Sequence, residues 1–336
     1  MKLLVLAARE VRAQLPYGEC AAAMQDALAA FASGQVHQPL RTIIRPPGAA
    51  GMMALMPAYL AAGEDAAGED AAAAYGLKAI CIFGGNPASG LDSHQGVVLL
   101  SSAQTGEPLA LLNASAVTEI RTAAVSAVAT ELLARADAAE LAIIGTGVQA
   151  RSHLLAIAAV RSLEQVRVAG RDPDKARRFA EDMRDRTGVP VTACASAAAA
   201  VAGAGIVVTA TSSAEPVLQK AWLEPGAHIN AVGACMPQAR ELDAETMAAA
   251  AVFADSRESV ANEAGDYVLA QAEGAIGPDH VRAELGELLT GTAPGRADDA
   301  EITVFESLGL AIEDLVAARL AYRNATERGS GTWLDF

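Results

Sequence analysis

The chain has 336 residues, 52% hydrophobic and 19% charged, a globular composition large enough for one large or two ordinary domains with their own cores. Its formal net charge is −15 and no basic stripe offsets it, which argues against binding nucleic acid by phosphate neutralisation. The acidity does not bar an anionic small substrate, because two or three local arginines outvote a global field.

The opening MKLLVLAAREV holds an apolar run too short for a secretory core, closed by Arg9 and Glu10 without a cleavage site. Thr42 to Ile44, Lys78 to Phe83 and Gly96 to Leu100, with Pro and Gly turns between them, predict a mixed sheet in a first lobe. AAGEDAAGED, Ala61 to Asp70, is a short tandem duplication and reads as a solvated surface extension. A long helix from about Thr118 to Arg135 then carries the chain into a central domain.

That domain alternates apolar strand-like runs with helical stretches. Leu141 to Gly145 reads as a buried strand and Gln149 to Val160 as a helix; Gln165 to Ala169 is the second strand. Pro173 opens the next helix and Gly188 closes it. Ile206 to Ala210, His228 to Val232 and Ala251 to Asp255 supply further short strands. Strand–helix alternation with fully apolar strands predicts an α/β fold with a parallel, doubly wound sheet. From Ile302 to Arg323 apolar residues recur at helical spacing, so a terminal helix that packs back on the first lobe is expected. The alanine-rich stretch Ala197 to Ala214 is broken by Gly203, Gly205, Thr209 and Thr211 and does not read as a membrane span.

Gly145-Thr146-Gly147-Val148-Gln149-Ala150 is G-x-G-x-x-A, placed after an apolar strand and opening a helix. Gly145 makes the tight turn, Gly147 lets the backbone approach a pyrophosphate, and Ala150 permits close helix–strand contact. The pyrophosphate would sit on the helix N-terminus, where N–H groups and the dipole favour an anion. The second strand ends Val168-Ala169-Gly170-Arg171-Asp172. Gly170 stands where an NAD site has an acid for the ribose 2′-OH, and the Arg171 guanidinium suits a 2′-phosphate, so NADPH is expected, with NADH as the alternative. Asp172, before Pro173, reads as the cap of the next helix. Cys20, Cys81, Cys194 and Cys235 form no CxxC pair and have no histidine at metal spacing, so reduced thiols, no metal and a cytoplasmic location are expected.

Ordered motifs along nearly the whole chain carry a resemblance. They are QPLRT (Gln38 to Thr42), MPA (Met56 to Ala58), GLK (Gly76 to Lys78), SHQ (Ser93 to Gln95), RTAAVSA (Arg121 to Ala127) and IGTGVQA (Ile144 to Ala150). PGAHINAVGA (Pro225 to Ala234), RELD (Arg240 to Asp243) and VFESLG (Val304 to Gly309) follow. With these the chain resembles the ornithine cyclodeaminase and mu-crystallin family, and its mu-crystallin branch more closely. The resemblance implies a Rossmann-type NAD(P)-binding domain over residues 119–307 and a mixed α+β lobe over 1–118 and 308–336. That lobe would bind substrate and form a homodimer. The resemblance also assigns roles. Arg41, Lys78 and Arg121 would face the substrate carboxylate and the nicotinamide, with Lys78 and Arg121 as catalytic residues. Ser93 and His94 would contact the cofactor from the first lobe; Val148, Gln149, Arg171, Thr211 and Val232 would line the dinucleotide; Ser307 and Leu308 would close the pocket.

The physical reading runs alongside. Two arginines and a lysine from separate segments make a preorganised cationic pocket for an α-carboxylate. Each also has a plainer reading: Arg41 as a structural ion pair, Arg121 as a surface residue near a helix start, His94 as a satisfied polar group. Lys78 lies in the apolar run GLKAICIF, where burial without a task is costly.

One departure bears on the reaction. The cyclodeaminases carry an aspartate where this chain has Cys235, in the stretch VGACMPQARELD. Losing ammonia and closing a ring needs a group that shuttles protons at amines, and an ordinary thiol is poorly matched to that. The mu-crystallin-like branch, with a small non-acidic residue there, resembles ketimine reductases, which reduce a cyclic C=N beside a carboxylate, as in Δ1-pyrroline-2-carboxylate or Δ1-piperideine-2-carboxylate. The expected function is therefore NAD(P)H-dependent reduction of such a ketimine to L-proline or L-pipecolate. Ornithine cyclodeamination, an alanine- or opine-type dehydrogenase and a non-catalytic NADPH- and ligand-binding protein stand as alternatives. Cys235 itself reads as a small filling residue rather than a nucleophile, with no histidine placed to activate it.

Overall fold

The computed structural model describes residues 2–62 and 72–336, so residues 63–70 of the tandem duplication lie outside it. The chain divides into two compact units, residues 1–121 with 309–336, and residues 122–308.

The first unit holds β1 (Lys2–Leu6), α1 (Ala8–Gln14), α2 (Tyr17–Ala32), β2 (Val36–His37), β3 (Thr42–Ile44), β4 (Met52–Leu60), β5 (Ala74–Ile82), β6 (His94–Ser102) and β7 (Pro108–Asn113). Helix α3 (Ala114–Leu133) crosses the boundary between the units. The second unit contains β8 (Glu140–Ile144), α4 (Val148–Val160), β9 (Gln165–Ala169), α5 (Pro173–Thr187), β10 (Val191–Ala193), α6 (Ala197–Val201), β11 (Ile206–Thr209) and β12 (His228–Ala231). It continues with α7 (Ala244–Ala249), β13 (Ala251–Ala254), α8 (Arg257–Glu263), α9 (Gly265–Ala272), β14 (Val281–Glu284), α10 (Leu285–Leu289) and β15 (Thr303–Glu306). The chain ends in the first unit with α11 (Ala311–Glu327) and β16 (Thr332–Asp335).

The first-unit sheet runs β16-β1-β7-β6-β5-β4-β2, with β3 also on β4. It is mixed: β1 pairs parallel with β7, whereas β4, β5 and β6 form an antiparallel meander. Residues alternate across it, as a two-residue period requires. On β5, Gly76, Lys78 and Ile80 face inward, and α11 packs so close that a Cβ on Gly76 would lie 2.8 Å from Leu315. Opposite, Met53, Tyr75 and Val97 stand exposed and the Tyr59 and Tyr75 rings lie 5.0 Å apart, leaving an apolar outer face.

The second-unit sheet has the order β10-β9-β8-β11-β12-β15-β13-β14, and the pairings along it are parallel. The strands read as near-continuous apolar runs because both faces are covered. Leu141, Ile143 and Val208 enter a core with Leu154, Phe179 and Met183; Ala142, Val207 and Ile229 enter a second with Leu242, Tyr267 and Val304. The chain steps outward from β8 to β10, then returns to β11 beside β8. That reversal is the switch point at which doubly wound sheets open a crevice beyond their strand ends.

One expectation is corrected. Ile302 to Arg323 is not one helical stretch: Thr303–Glu306 is a parallel strand between β12 and β13, and the helix begins only at Ala311. A fully buried run satisfies helical spacing as readily as strand spacing, and Gly309 breaks the chain between the two elements. Among the described residues no helix is long and apolar enough to cross a membrane.

Candidate functional site

The first unit buries a cluster of four opposite charges. Lys78 on β5 places Nζ 2.7 Å from Oδ2 of Asp314, and Arg121 donates from Nε to Oδ1 of the same carboxylate at 3.1 Å and from Nη1 to Glu313 Oε2 at 2.7 Å. Lys78 is 3% and Arg121 4% exposed, with Glu313 at 0% and Asp314 at 1%. Burial pushes the Lys78 pKa down from 10.5 to about 8; Asp314 draws it up again, and Arg121 and Arg41 add to the depression. Burial pushes Asp314 the other way, but Arg121 and Lys78 outweigh it and hold that carboxyl below its ordinary range. Lys78 and Arg121 are matched one for one by Glu313 and Asp314, so these four side chains carry no net charge.

Local structure explains the arrangement. Helix α11 enters through Gly309, where a Cβ would collide with the Arg121 guanidinium. Gln38 accepts a hydrogen bond from Ile312 N at 2.8 Å, and Arg41 donates from Nη2 to the Gly309 carbonyl at 3.1 Å. The QPLRT segment therefore holds the start of the helix that presents both acids. Ser93 Oγ and His94 Nδ1 lie 3.0 Å apart at the start of β6, both half-buried. Burial, then Lys78 and Arg121, lower the His94 pKa, so the ring is neutral at pH 7. The buried Cys20 thiol is pushed up to about 12, chiefly by burial, and is inert.

The second unit carries the remaining candidates at the C-terminal ends of its strands. Gly145 turns the chain out of β8 with φ 124°, and a Cβ there would strike the Ala210 carbonyl. Gly147 caps α4, and a Cβ on it would meet nothing within 4 Å, so an approaching anion has open access to the helix N-terminus. Val148 is 53% exposed, Gln149 half-buried and Ala150 buried against β8. The first N–H groups of any helix lack intrahelical acceptors, so this cradle fits a pyrophosphate. Gly170 follows β9 with Thr146 Cγ2 2.9 Å from where a Cβ would sit, so an acid at this position would have to turn the Thr146 side chain aside. Arg171 is exposed, and Asp172 is occupied as the cap of α5, accepting from Asp174 N at 2.9 Å and Lys175 N at 3.2 Å.

Beyond β11 and β12 lie Thr211, half-buried, and Val232, 7% exposed. Glu241 joins their segments, accepting from Thr211 N at 2.6 Å and from Gly233 N at 2.7 Å. The Cys235 thiol donates to the Val232 carbonyl at 3.3 Å, with the Ser307 carbonyl at 3.8 Å. Ser307 and Leu308 follow β15, both buried, and Leu308 N donates to Asp255 at 2.8 Å. The expected residues thus fall into two sets. Arg41, Lys78, Ser93, His94 and Arg121 belong to the first unit; Gly145, Gly147, Val148, Gln149, Arg171, Thr211, Val232, Ser307 and Leu308 belong to the second. Among the described residues no group of three or more His, Cys, Asp or Glu could hold a metal ion.

Sequence reasoning missed Glu313, Asp314 and the role of Glu241. Two adjacent acids interrupt the otherwise apolar GLAIEDLVAA, but a charged pair on a helix also reads as a solvated face, so the sequence alone does not mark them as buried.

A sequence model of the ornithine cyclodeaminase/mu-crystallin family matches residues 1–329. A Δ1-pyrroline-2-carboxylate reductase of Bacillus cereus is 38% identical over 335 residues, 99% of this chain and 100% of that protein. The ketimine reductase mu-crystallin of Mus musculus is 39% identical over 302 residues, 89% of this chain and 90% of its own. Among solved structures, Thermococcus litoralis Δ1-pyrroline-2-carboxylate reductase in complex with NADH and L-proline superposes with a TM-score of 0.92 at 38% identity, covering 98% of this chain and 99% of that one.

Proposed function

The chain belongs to the ornithine cyclodeaminase/mu-crystallin family, and from that premise we propose that it is an oxidoreductase reducing a cyclic ketimine carboxylate, Δ1-pyrroline-2-carboxylate or Δ1-piperideine-2-carboxylate, to L-proline or L-pipecolate. When bound, a nicotinamide cofactor would supply the hydride for the imine carbon, with a proton for the imine nitrogen, so that C=N would become CH–NH. Arg41, Lys78 and Arg121 hold the substrate carboxylate, and the interactions of Lys78 and Arg121 with Glu313 and Asp314 fix their heads before substrate arrives. Lys78, protonated below about pH 8, is either a carboxylate contact or the proton source. Ser93 and His94 contact the cofactor, His94 as a neutral ring.

Gly145, Gly147, Val148 and Gln149 cradle the pyrophosphate, Thr211 and Val232 line the nicotinamide end, and Ser307 and Leu308 close the pocket. NADPH is the preferred cofactor over NADH, because Gly170 offers no carboxylate to a ribose 2′-OH and Arg171 offers a guanidinium to a 2′-phosphate. The first unit is the substrate-binding and dimerisation lobe, and the apolar outer face of β4, β5 and β6 is where a second copy docks. The protein works in the cytoplasm.

The observation that favours reduction over cyclodeamination is at position 235. There a thiol faces two backbone carbonyls where the cyclodeaminases place a proton-shuttling aspartate. Loss of NADPH absorbance with each cyclic imine tests the reading, run beside L-ornithine with NAD⁺ and pyruvate with ammonia or methylamine. Turnover of a cyclic imine alone is expected. Ammonia release from L-ornithine at a comparable rate, or no imine turnover with either nicotinamide, overturns it.

A further inference from the structure

The carboxylate of Glu241 is wholly buried and lies at one particular place in the second unit. Strands β11 and β12 pair in parallel register through Thr209 opposite Ala231, and Val232 N still donates to the Thr209 carbonyl at 3.0 Å. Two residues further along each strand the ladder has ended, and one side chain takes over. Glu241 Oε1 accepts from Thr211 N at 2.6 Å and Oε2 from Gly233 N at 2.7 Å. Gly233 has no alternative, since a Cβ there would strike the Thr211 carbonyl and approach the Glu241 carboxylate carbon to 2.6 Å.

Glu241 is itself anchored. Its own N–H and that of Leu242 both donate to Asp266 Oδ1 at 2.7 Å, and its carbonyl accepts from Val217 N and Leu218 N at 2.7 and 3.0 Å. Burial pushes its pKa up, and the bonds from Thr211 and Gly233 draw it back. On the other side of Thr211, the close packing of Gly145 against the Ala210 carbonyl ties the same backbone to the glycine turn after β8. The turn, Thr211 and Val232 thus form one row at the strand ends, with Glu241 setting the spacing of its last two members.

We propose that Glu241 is the positioning residue for the nicotinamide end of the cofactor. Its carboxylate holds the Thr211 and Gly233 backbones, and so the Thr211 and Val232 wall, in the separation that hydride transfer requires. The proposal rests on the reductase reading given above. The chemistry demands a glutamate: two converging N–H donors need two acceptor oxygens, a glutamine offers one and turns its NH₂ on the other donor, and an aspartate is one methylene short. A misplacement of this wall by a fraction of an ångström degrades the reacting distance without removing any contact to the adenine half of the cofactor.

The test compares wild type with E241Q and, as a second variant that keeps both acceptor oxygens, E241D. For each, circular dichroism establishes folding, NADPH binding is followed by nicotinamide fluorescence, and kcat, KM and the isotope effect with C4-deuterated NADPH are measured. For the folded variants kcat is expected to fall by about tenfold to a hundredfold, with the imine KM changed less than about threefold. The isotope effect should rise and the emission of bound NADPH should shift towards that of free cofactor. A folded variant with wild-type kcat, isotope effect and emission overturns the proposal, as does a loss confined to melting temperature. If wild type itself turns over no imine, the reductase reading has failed, and the emission of bound NADPH alone decides whether Glu241 shapes the nicotinamide site.

Discussion

Asp314 is held by two cations at once: Lys78 Nζ lies 2.7 Å from its Oδ2 and Arg121 Nε 3.1 Å from its Oδ1, in surroundings that exclude water. This one carboxylate fixes the spacing of two cations that reach it from β5 and α3. A flexible lysine head would otherwise lose rotamer freedom each time it met a substrate, and here that ordering is complete in the folded protein.

Burial lowers the Lys78 pKa to about 8, and the sign of the consequence follows from its task. In either role proposed for Lys78, carboxylate contact or proton source, the charged form would be the working one. Activity supported by it is present below about pH 8 and lost as pH rises through that value. The pH profile of kcat/KM for the imine, which reports the free enzyme, should bend downward near pH 8 in wild type. In Lys78→Arg, which keeps a charge far above that range, the alkaline limb should move upward even if the rate is lower. Lys78→Ala should abolish reduction and leave NADPH binding largely intact.

Arg121 bonds to both Glu313 and Asp314, so its removal takes the guanidinium from two buried carboxylates together. Breaking a buried pair from one side costs about 3–5 kcal/mol, and Arg121→Ala should lose stability of that order along with activity. Arg121→Ala combined with Glu313→Ala should lose less than the sum of the two single variants, because the second change removes a charge the first left behind. Denaturant midpoints for the four proteins check this, and strict additivity would contradict the coupling.

The parts of the site that were legible in the sequence are those encoded within a few residues of one another. Gly145 and Gly147 follow a strand and open a helix, and Asp172 before Pro173 caps the next one, because turns and caps are local chemistry. The acids that order the cationic residues were not legible. Glu313 and Asp314 sit on a helix, where a charged pair reads as a solvated face until tertiary packing buries it. Strand β4 was hidden for a different reason: Pro57 in its middle argues against a strand. Pro57 falls between the part of β4 that pairs with β3, up to Leu55, and the part that pairs with β2, from Tyr59, so it interrupts neither ladder. Strand β15 was masked because complete burial erases the alternation that distinguishes strand from helix.

The proposed NADPH preference rests on a residue that is absent and one that is present. An acid at position 170 would have to displace Thr146, whose Cγ2 stands 2.9 Å from the Cβ position, while Arg171 is exposed at the strand end. A charge-assisted contact to a 2′-phosphate contributes about 1.5–3 kcal/mol, so Arg171→Ala should raise the KM for NADPH by roughly tenfold to a hundredfold. The KM for NADH should hardly change. Equal use of both cofactors by wild type, unaltered in the variant, would remove the basis for the preference.

Position 235 separates the reactions most sharply. The thiol donates towards the carbonyls of Val232 and Ser307, so the site around it presents acceptors and asks for a donor or a neutral group. Cys235→Ala removes one weak hydrogen bond and should keep reduction within about threefold of wild type, since no covalent step passes through sulfur. Cys235→Asp sets an acceptor-only carboxylate against two carbonyl oxygens. The carboxyl will be held protonated there or will turn the loop that carries Val232, and reduction should fall by about tenfold or more. Because an acid kept protonated is no base for an amine, Cys235→Asp alone should release no ammonia from L-ornithine. Ammonia and L-proline from that variant at a rate near the imine reductase rate would show that the surroundings of position 235 already suit cyclodeamination, and that the thiol alone withholds it.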